Sequence, residues 1–337
     1  MKKIISYFLI TLTVGLLLSC SKAKKNDARL NEVVIYTYDS FLGEWGAGDK
    51  IANGFENATG IKATFVNCGD AGQILSKAIL EKSAPQADVL LGLDNNLVAK
   101  AVRENVLQKY KAKNVETLVE KSLRDALGDY LTPYDFSHFA LIYDTQSNLP
   151  APKSLADLKD ATYEKKLILM DPRTSTPGLG FLAWVVAVFG DEYKNYFSEI
   201  KNSVLTLSPS WSTGYGLFTE GEAPLVVSYV TSPFYHVYAD NTNRYQALFF
   251  DEGHVQEVEG AGIVKNAANK KGAEIFLDYL ITEEAQKELP LTQWMYPANK
   301  TVSLPDCYSA LPNIKTLNYD SEKVESAIAD AVNALGK

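Results

Sequence analysis

The amino-acid sequence predicts an α/β protein of two lobes. Three observations carry this expectation. β-branched apolar runs alternate with segments of helical period, the early strands follow one another without hairpin turns, and a second series of the same kind starts after a proline-punctuated break near residue 150. A hydrophobic content of 46% with 22% charged residues is that of a folded globular chain.

Taken in order, the chain begins with MKK, then the 15 apolar-rich residues IISYFLITLTVGLLL, then Ser19-Cys20. A cationic start, an apolar stretch and a small residue before a cysteine predict an export signal over residues 1–19. The stretch is shorter than the roughly 20 residues that a membrane span requires. Leu17-Leu18-Ser19-Cys20 resembles the lipobox of bacterial lipoproteins, which implies lipidation at Cys20, with residues 20–30 as the lipidated cysteine and its tether.

NEVVIYTY then predicts a first strand, KIANGFENATG a helix ended by Gly60, IKATFVNC a second strand, AGQILSKAILEKS a second helix and ADVLLGL a third strand buried on both faces. That order indicates βαβ units and a parallel sheet flanked by helices. NNLVAKAVRENVLQKY predicts a helix. The strand in FALIYD runs into the break, after which KKLILMDP, SVLTLS and APLVVSYV predict strands, GLGFLAWVVAVFG an apolar helix and NKKGAEIFLDYLITEEAQKEL one amphipathic helix. Two lobes joined by two crossings fit this order. Residues 31–137 with 255–337 form the expected lobe 1 and residues 138–254 lobe 2, the crossings falling near 136–146 and 248–260.

Charge excludes one class of partner. The formal net charge is 33 minus 41, or −8, whereas nucleic-acid binding relies on clustered Lys and Arg. Past Cys20 the cysteines are Cys68 and Cys307, and their number alone leaves open a disulfide or two buried thiols. GxxxxGK[ST], HExxH, CxxC and GxSxG are all missing, so the sequence offers no catalytic residue. His138, His236 and His254 are far apart and predict no metal site.

Ligands in open α/β sheets bind beyond the carboxyl ends of strands. Four segments hold such positions: YDSFLGEWG, NCGDAGQ, DPRTSTPGLG and SYVTSPFYH. In the third, Ser175 and Thr176 precede an apolar helix, where free N–H groups and hydroxyls bind an anion or hydroxyl, or simply cap the helix. Trp45, Trp211 and Trp294 lie in polar, Gly- or Pro-containing stretches, read as loops; each is a packing residue or a platform for a flat or cationic ligand.

The segments YTYDSFLGEWGAG, ADVLLGLDNNL, DPRTSTPGLG, YGLF, SYVTSPFYH and QWMYP, in this order, resemble stretches of the bacterial thiamine-binding proteins, the solute receptors of thiamine ABC importers. The resemblance runs from about residue 33 to 300. It implies a type II periplasmic-binding-protein fold, with thiamine, thiamine monophosphate or thiamine diphosphate held in the cleft between hinged lobes, no cofactor, and delivery to an ABC transporter permease. It implies a monomer in the periplasm or at the cell surface, anchored to the membrane through Cys20. Asp70, Ala71, Ser175, Thr176, Trp211 and the run Tyr229, Thr231, Ser232 fall on ligand-binding positions of the family. Tyr38, Trp45, Tyr235 and Trp294 fall on its aromatic wall, which would set Tyr38 and Trp45 at the rim of the first lobe, with the Asp70 carboxylate suited to the ligand's amino group or cation. Two departures stand out: Ala71 follows Asp70 where relatives commonly have Gly, and Val230 replaces an expected hydroxylated residue. The competing classes are a receptor for another cation or a metal, with Tyr229 and Tyr235 as phenolate ligands, and an enzyme acting on a phosphate ester.

Overall fold

The computed structural model describes residues 30–336, so the export signal and Cys20 lie outside the described residues. The first half of the sheet contains β1 (Glu32–Thr37), β2 (Lys62–Asn67), β3 (Val89–Asp94) and the short β4 (Leu107–Gln108). The long β5 (Thr132–Asp144) leads to β6 (Leu167–Met170), β7 (Val204–Ser208), β8 (Leu225–Tyr229) and β9 (Tyr245–Ala247). β10 (His254–Val264) returns, followed by the two-residue strands β11 (Tyr296–Pro297) and β12 (Thr316–Leu317). Their order is β2-β1-β3-β10-β5-β8-β6-β7.

β1 pairs with β2 and β3 in parallel, and β6 with β7 and β8 in parallel, as the βαβ pattern requires. The sheet is nevertheless mixed. β10 runs antiparallel to β3 and β5, and β5 antiparallel to β8. The cause is β5, whose residues Thr132–His138 pair with β10 while Phe139–Tyr143 pair with β8, so that one strand serves both halves.

Helix α1 (Gly48–Thr59) ends at Gly60 in the left-handed conformation, φ 71°, and α2 (Ala71–Leu80) starts from Asp70 with a reciprocal capping box to Gln73. β3 is buried at every position, the pattern of a strand covered on both faces. The helix expected over residues 95–110 is cut to α3 (Val98–Arg103): Asn105 turns the chain with φ 59°, and Leu107 and Gln108 join β10 instead. Sheet pairing and burial of Val106 and Leu107 override the helical period there.

Short helices α4 (Val115–Leu118) and α5 (Lys121–Leu127) lead into β5. The second half carries α6 (Thr176–Phe189), buried along its first eleven residues because it is apolar on all sides, then α7 (Tyr193–Ile200), α8 (Trp211–Thr219) and α9 (Pro233–Tyr238). The amphipathic segment after β10 is two helices, α10 (Lys270–Leu280) and α11 (Glu283–Gln286), because Thr282 stops the first and caps the second through Ala285 N–H.

The last helix, α12 (Ser321–Leu335), belongs to the 255–337 segment expected in lobe 1, yet it packs against α6 and α7. Lys323 pairs with Asp191 and Tyr193 donates to Asp330, while Arg103 on α3 holds Glu325 in a fork at 2.6 and 2.8 Å. The helix is thus seated on the second half and tied to the first by the Arg103–Glu325 pair. Cys68 and Cys307 are both free thiols.

Gly92 shows how the GLDNNL stretch positions the site. Its φ is 102°, and a Cβ there would fall 2.3 Å from the Tyr38 ring. Gly92→Ala is expected to lower the unfolding free energy by about 1–3 kcal/mol through backbone strain and overpacking, measured as a shift of the urea midpoint. Parental stability in this variant would show that β3 does not lock the Tyr38 ring.

Candidate functional site

Three helix N-termini converge on one carboxylate. Asp70 Oδ1 accepts from Ala71 N–H at 2.7 Å and Thr176 N–H at 3.4 Å, and its Oδ2 accepts from Trp211 N–H at 3.1 Å. These groups open α2, α6 and α8, so one residue of the first half joins two helices of the second. Burial pushes the Asp70 carboxyl up, and the Ala71 N–H, the Ser175 hydroxyl and the N–H groups of Trp211 and Thr176 pull it back. Gly72 N–H donates to Thr174 O at 3.1 Å, a contact so close that a Cβ on Gly72 would stand 2.8 Å from that oxygen. Ser212 adds a hydrogen bond to Asp39 at 2.9 Å.

Next to this junction lies a cavity of about 360 Å³. Tyr38, Trp45, Asp70, Thr176, Trp211, Tyr229, Ser232, Tyr235 and Trp294 line it; Ala71, Ser175 and Thr231 do not. Ala71 contributes its backbone N–H to Asp70. Ser175 borders an adjoining small crevice, with Thr176 shared between the two spaces. Thr231 is fully buried and bonds Ser137 across to β5 at 3.1 Å, a packing role. The Thr176 hydroxyl oxygen is buried with no hydrogen-bond partner among the described residues, and the buried Ser175 hydroxyl faces the Asp70 carboxylate without closing a well-formed hydrogen bond to it.

The aromatic residues take distinct places. Trp211, expected in a loop, is the first residue of α8; it stacks on Tyr215 at 5.0 Å and donates from Nε1 to Ser228 Oγ at 2.8 Å. Tyr235 belongs to α9 and meets Trp294 edge-on at 5.7 Å. Trp294 lines the cavity from a backbone in the left-handed region, φ 56°. Trp45 is 65% exposed at the rim, but Tyr38 is buried: its hydroxyl donates to Glu259 Oε2 at 3.0 Å, so it belongs to the wall's interior instead of the rim.

Sequence reasoning missed Tyr215, His236, Glu259 and Gln293. The spacing of Trp211 and Tyr215 places them one helical turn apart, a usable signal. Glu257 and Glu259 alternate with Val258 at buried positions of β10, where a charge is costly and marks a special position. Gln293 carried no signal. His236 bonds Asp240 through Nδ1 and the Tyr215 hydroxyl through Nε2, and burial holds its imidazole below the usual range.

The same electrostatics bear on phenolate ligation. Burial, with the charges of Glu257, Glu259 and Asp70 after it, pushes the Tyr229 phenol well above its ordinary value, and Tyr235 is also raised. Among the described residues no group of three or more His, Cys, Asp or Glu is arranged to hold a metal ion.

Comparison with known proteins follows this geometry. Residues 84–323 match the family described as bacterial extracellular solute-binding protein. A thiamine-binding periplasmic protein of Brucella melitensis is 40% identical over 283 residues, covering 84% of each chain. A protein of the same description from Escherichia coli K12 is 34% identical over 279 residues, covering 83% of this chain and 84% of that one. A solved structure described as a periplasmic thiamin binding protein superposes with a TM-score of 0.83 at 32% identity, over 91% of this chain and 96% of the other.

Asp70→Ala removes the acceptor of three helix-terminal N–H groups and is expected to cost about 1–3 kcal/mol of unfolding free energy, with Asp70→Asn losing less because Asn still caps α2. Urea titrations of both variants provide the comparison. An alanine variant as stable as the parent would mean that the halves do not depend on this carboxylate.

Proposed function

We propose, for a chain that belongs to the thiamine-binding periplasmic proteins within the bacterial extracellular solute-binding family, that it captures thiamine outside the cytoplasm and delivers it to the permease of an ABC importer. Proteins of this family are transport receptors, and the chain is a binding protein, not an enzyme. The observation that carries the ligand assignment is the cavity: aromatic rings, a buried acid at one wall, and three helix N-termini at one edge.

Thiamine is a permanent thiazolium cation linked to a flat aminopyrimidine, with a hydroxyethyl arm. Faces of Trp211, Tyr215, Tyr235 and Trp294 suit the two heterocycles, where a ring near a cation contributes about 0.5–2 kcal/mol. The unpartnered Thr176 hydroxyl and Ser232, at the mouths of α6 and α9, suit the arm's hydroxyl or a phosphate on it, with Ser175 in the adjoining crevice. Asp70, whose oxygens already take the Ala71, Thr176 and Trp211 N–H groups, borders that edge. Thiamine monophosphate and diphosphate are therefore included in the ligand class. The receptor acts as a monomer tethered to the membrane by a lipid on Cys20, and the two halves close on the ligand about the β5 and β10 crossings.

Calorimetry on thiamine and thiamine monophosphate separates the two kinds of contact. Trp211→Ala or Trp294→Ala is expected to weaken both ligands by about 1–3 kcal/mol. Thr176→Val is expected to weaken the monophosphate selectively, by roughly 1.5–3 kcal/mol. Equal losses for the two ligands in Thr176→Val would remove the phosphate assignment, and unchanged binding in both tryptophan variants would remove the aromatic one.

The anchor has its own test. Full-length Cys20→Ala expressed with labelled fatty acid is expected to take up no label, and stable anchoring requires more than one acyl chain. Label retained in that variant would sink the lipidation proposal.

A further inference from the structure

Glu259 lines the cavity, and in the sheet it lies between two other acids: it pairs with Asp94 on β3 and with Asp135 on β5. Three carboxylates thus stand in register on adjacent strands, an arrangement that like-charge repulsion disfavours. Asp94 is satisfied by Asn96 and Leu97. Glu259 Oε2 accepts from Tyr134 at 2.7 Å and Tyr38 at 3.0 Å. Asp135 is fully buried, and neither of its oxygens meets a donor among the described residues, although its carboxyl lies against that of Glu259.

Among the described residues, the groups facing this pair bring no positive charge. They are Tyr38 at the end of β1, Asp94 on β3, Tyr134 on β5, Glu257 on β10, Tyr229 on β8 and Tyr308 after β11. Tyr319 faces Asp94 and Glu257, and Asp70 faces Tyr229. Glu257 is likewise buried, and its carboxyl faces the Tyr229 hydroxyl. Buried carboxylates without a cation beside them are kept neutral by protons or await a charged ligand.

We propose that Asp135 and Glu259 hold one proton between them in the ligand-free receptor, and that a cationic ligand entering the cavity displaces it to solvent. One positive charge enters and one leaves; the dyad passes from a single negative charge to two, and Glu259 presents its full charge to the bound cation. Glu259 is the charge-recognising residue, and Asp135 sets the pH at which it acts. Burial, with the neighbouring acids, raises both groups, Glu259 to about 7 and Asp135 well above its ordinary value, whereas the Tyr134 and Tyr38 hydroxyls favour ionised Glu259. The proposal rests on the thiamine reading only through that ligand's positive charge.

Calorimetric titration of thiamine into the mature receptor, near pH 7 in two buffers of different ionisation enthalpy, counts the protons released. About one proton is expected, with the association constant rising by up to roughly tenfold per pH unit as pH increases toward a plateau on the alkaline side. In Asp135→Asn the rise shifts to lower pH and proton release near pH 7 falls toward zero while thiamine still binds. Glu259→Gln binds more weakly on the plateau and loses the pH dependence, and Glu259→Asp restores it in part. Buffer-independent heats and a flat pH profile in the parent protein overturn the proposal while leaving the thiamine assignment intact. Failure of the parent to bind thiamine at any pH overturns that assignment, and the proton exchange with it.

Discussion

The structure depends on a buried anion at a junction of helix dipoles. Asp70 takes N–H groups from the first turns of three helices, and in doing so it fixes where the halves of the molecule meet. A carboxylate is suited to this because helix N-termini leave donors without intrahelical partners, and an ionised acceptor binds them more strongly than a neutral one. The approach of Gly72 to Thr174 follows from the same docking: with a side chain at residue 72, α2 and the 171–175 turn could not come this near. Once that edge is set, Trp211 and Thr176 are carried to the cavity as the opening residues of their helices.

The cavity combines two environments that work against each other. Its rings are apolar and exclude water, which raises the cost of any charge nearby; its acids are charges, or become charges on losing a proton. Hydroxyls mediate between the two. Tyr38 and Tyr134 stabilise ionised Glu259 by hydrogen bonding, yet burial outweighs them and lifts its proton affinity. Under the proposed proton exchange, such a site favours a cation over a neutral ligand of the same shape, since the entering charge replaces the proton on the acids. It is also built on the two strands that cross between the halves, so the charge state of β5 and β10 and the relative position of the halves belong to the same few residues.

Local order in the sequence determined a large part of this. The β-branched runs marked the principal strands of the sheet and Gly60 the end of α1, because each depends on neighbours within a turn or a strand's length, while nine of the residues that line the cavity were legible through the family resemblance. Tertiary structure decided the rest. Asn105 breaks a helical pattern because β10 offers pairing to Leu107 and Gln108, more than 150 residues along the chain, and α12 leaves its own segment for an apolar seat on α6 and α7. Tyr38 belongs to the wall's interior because its hydroxyl reaches Glu259, 221 residues away, and Asp70 became a junction because Trp211 lies 141 residues further on. The acids Asp94, Asp135 and Glu259 are unremarked singly, and only strand register places them side by side. Periodicity and capping are written in the spacing of adjacent residues, whereas electrostatic pairing acts through space and depends on which distant segments the fold brings within a few ångströms.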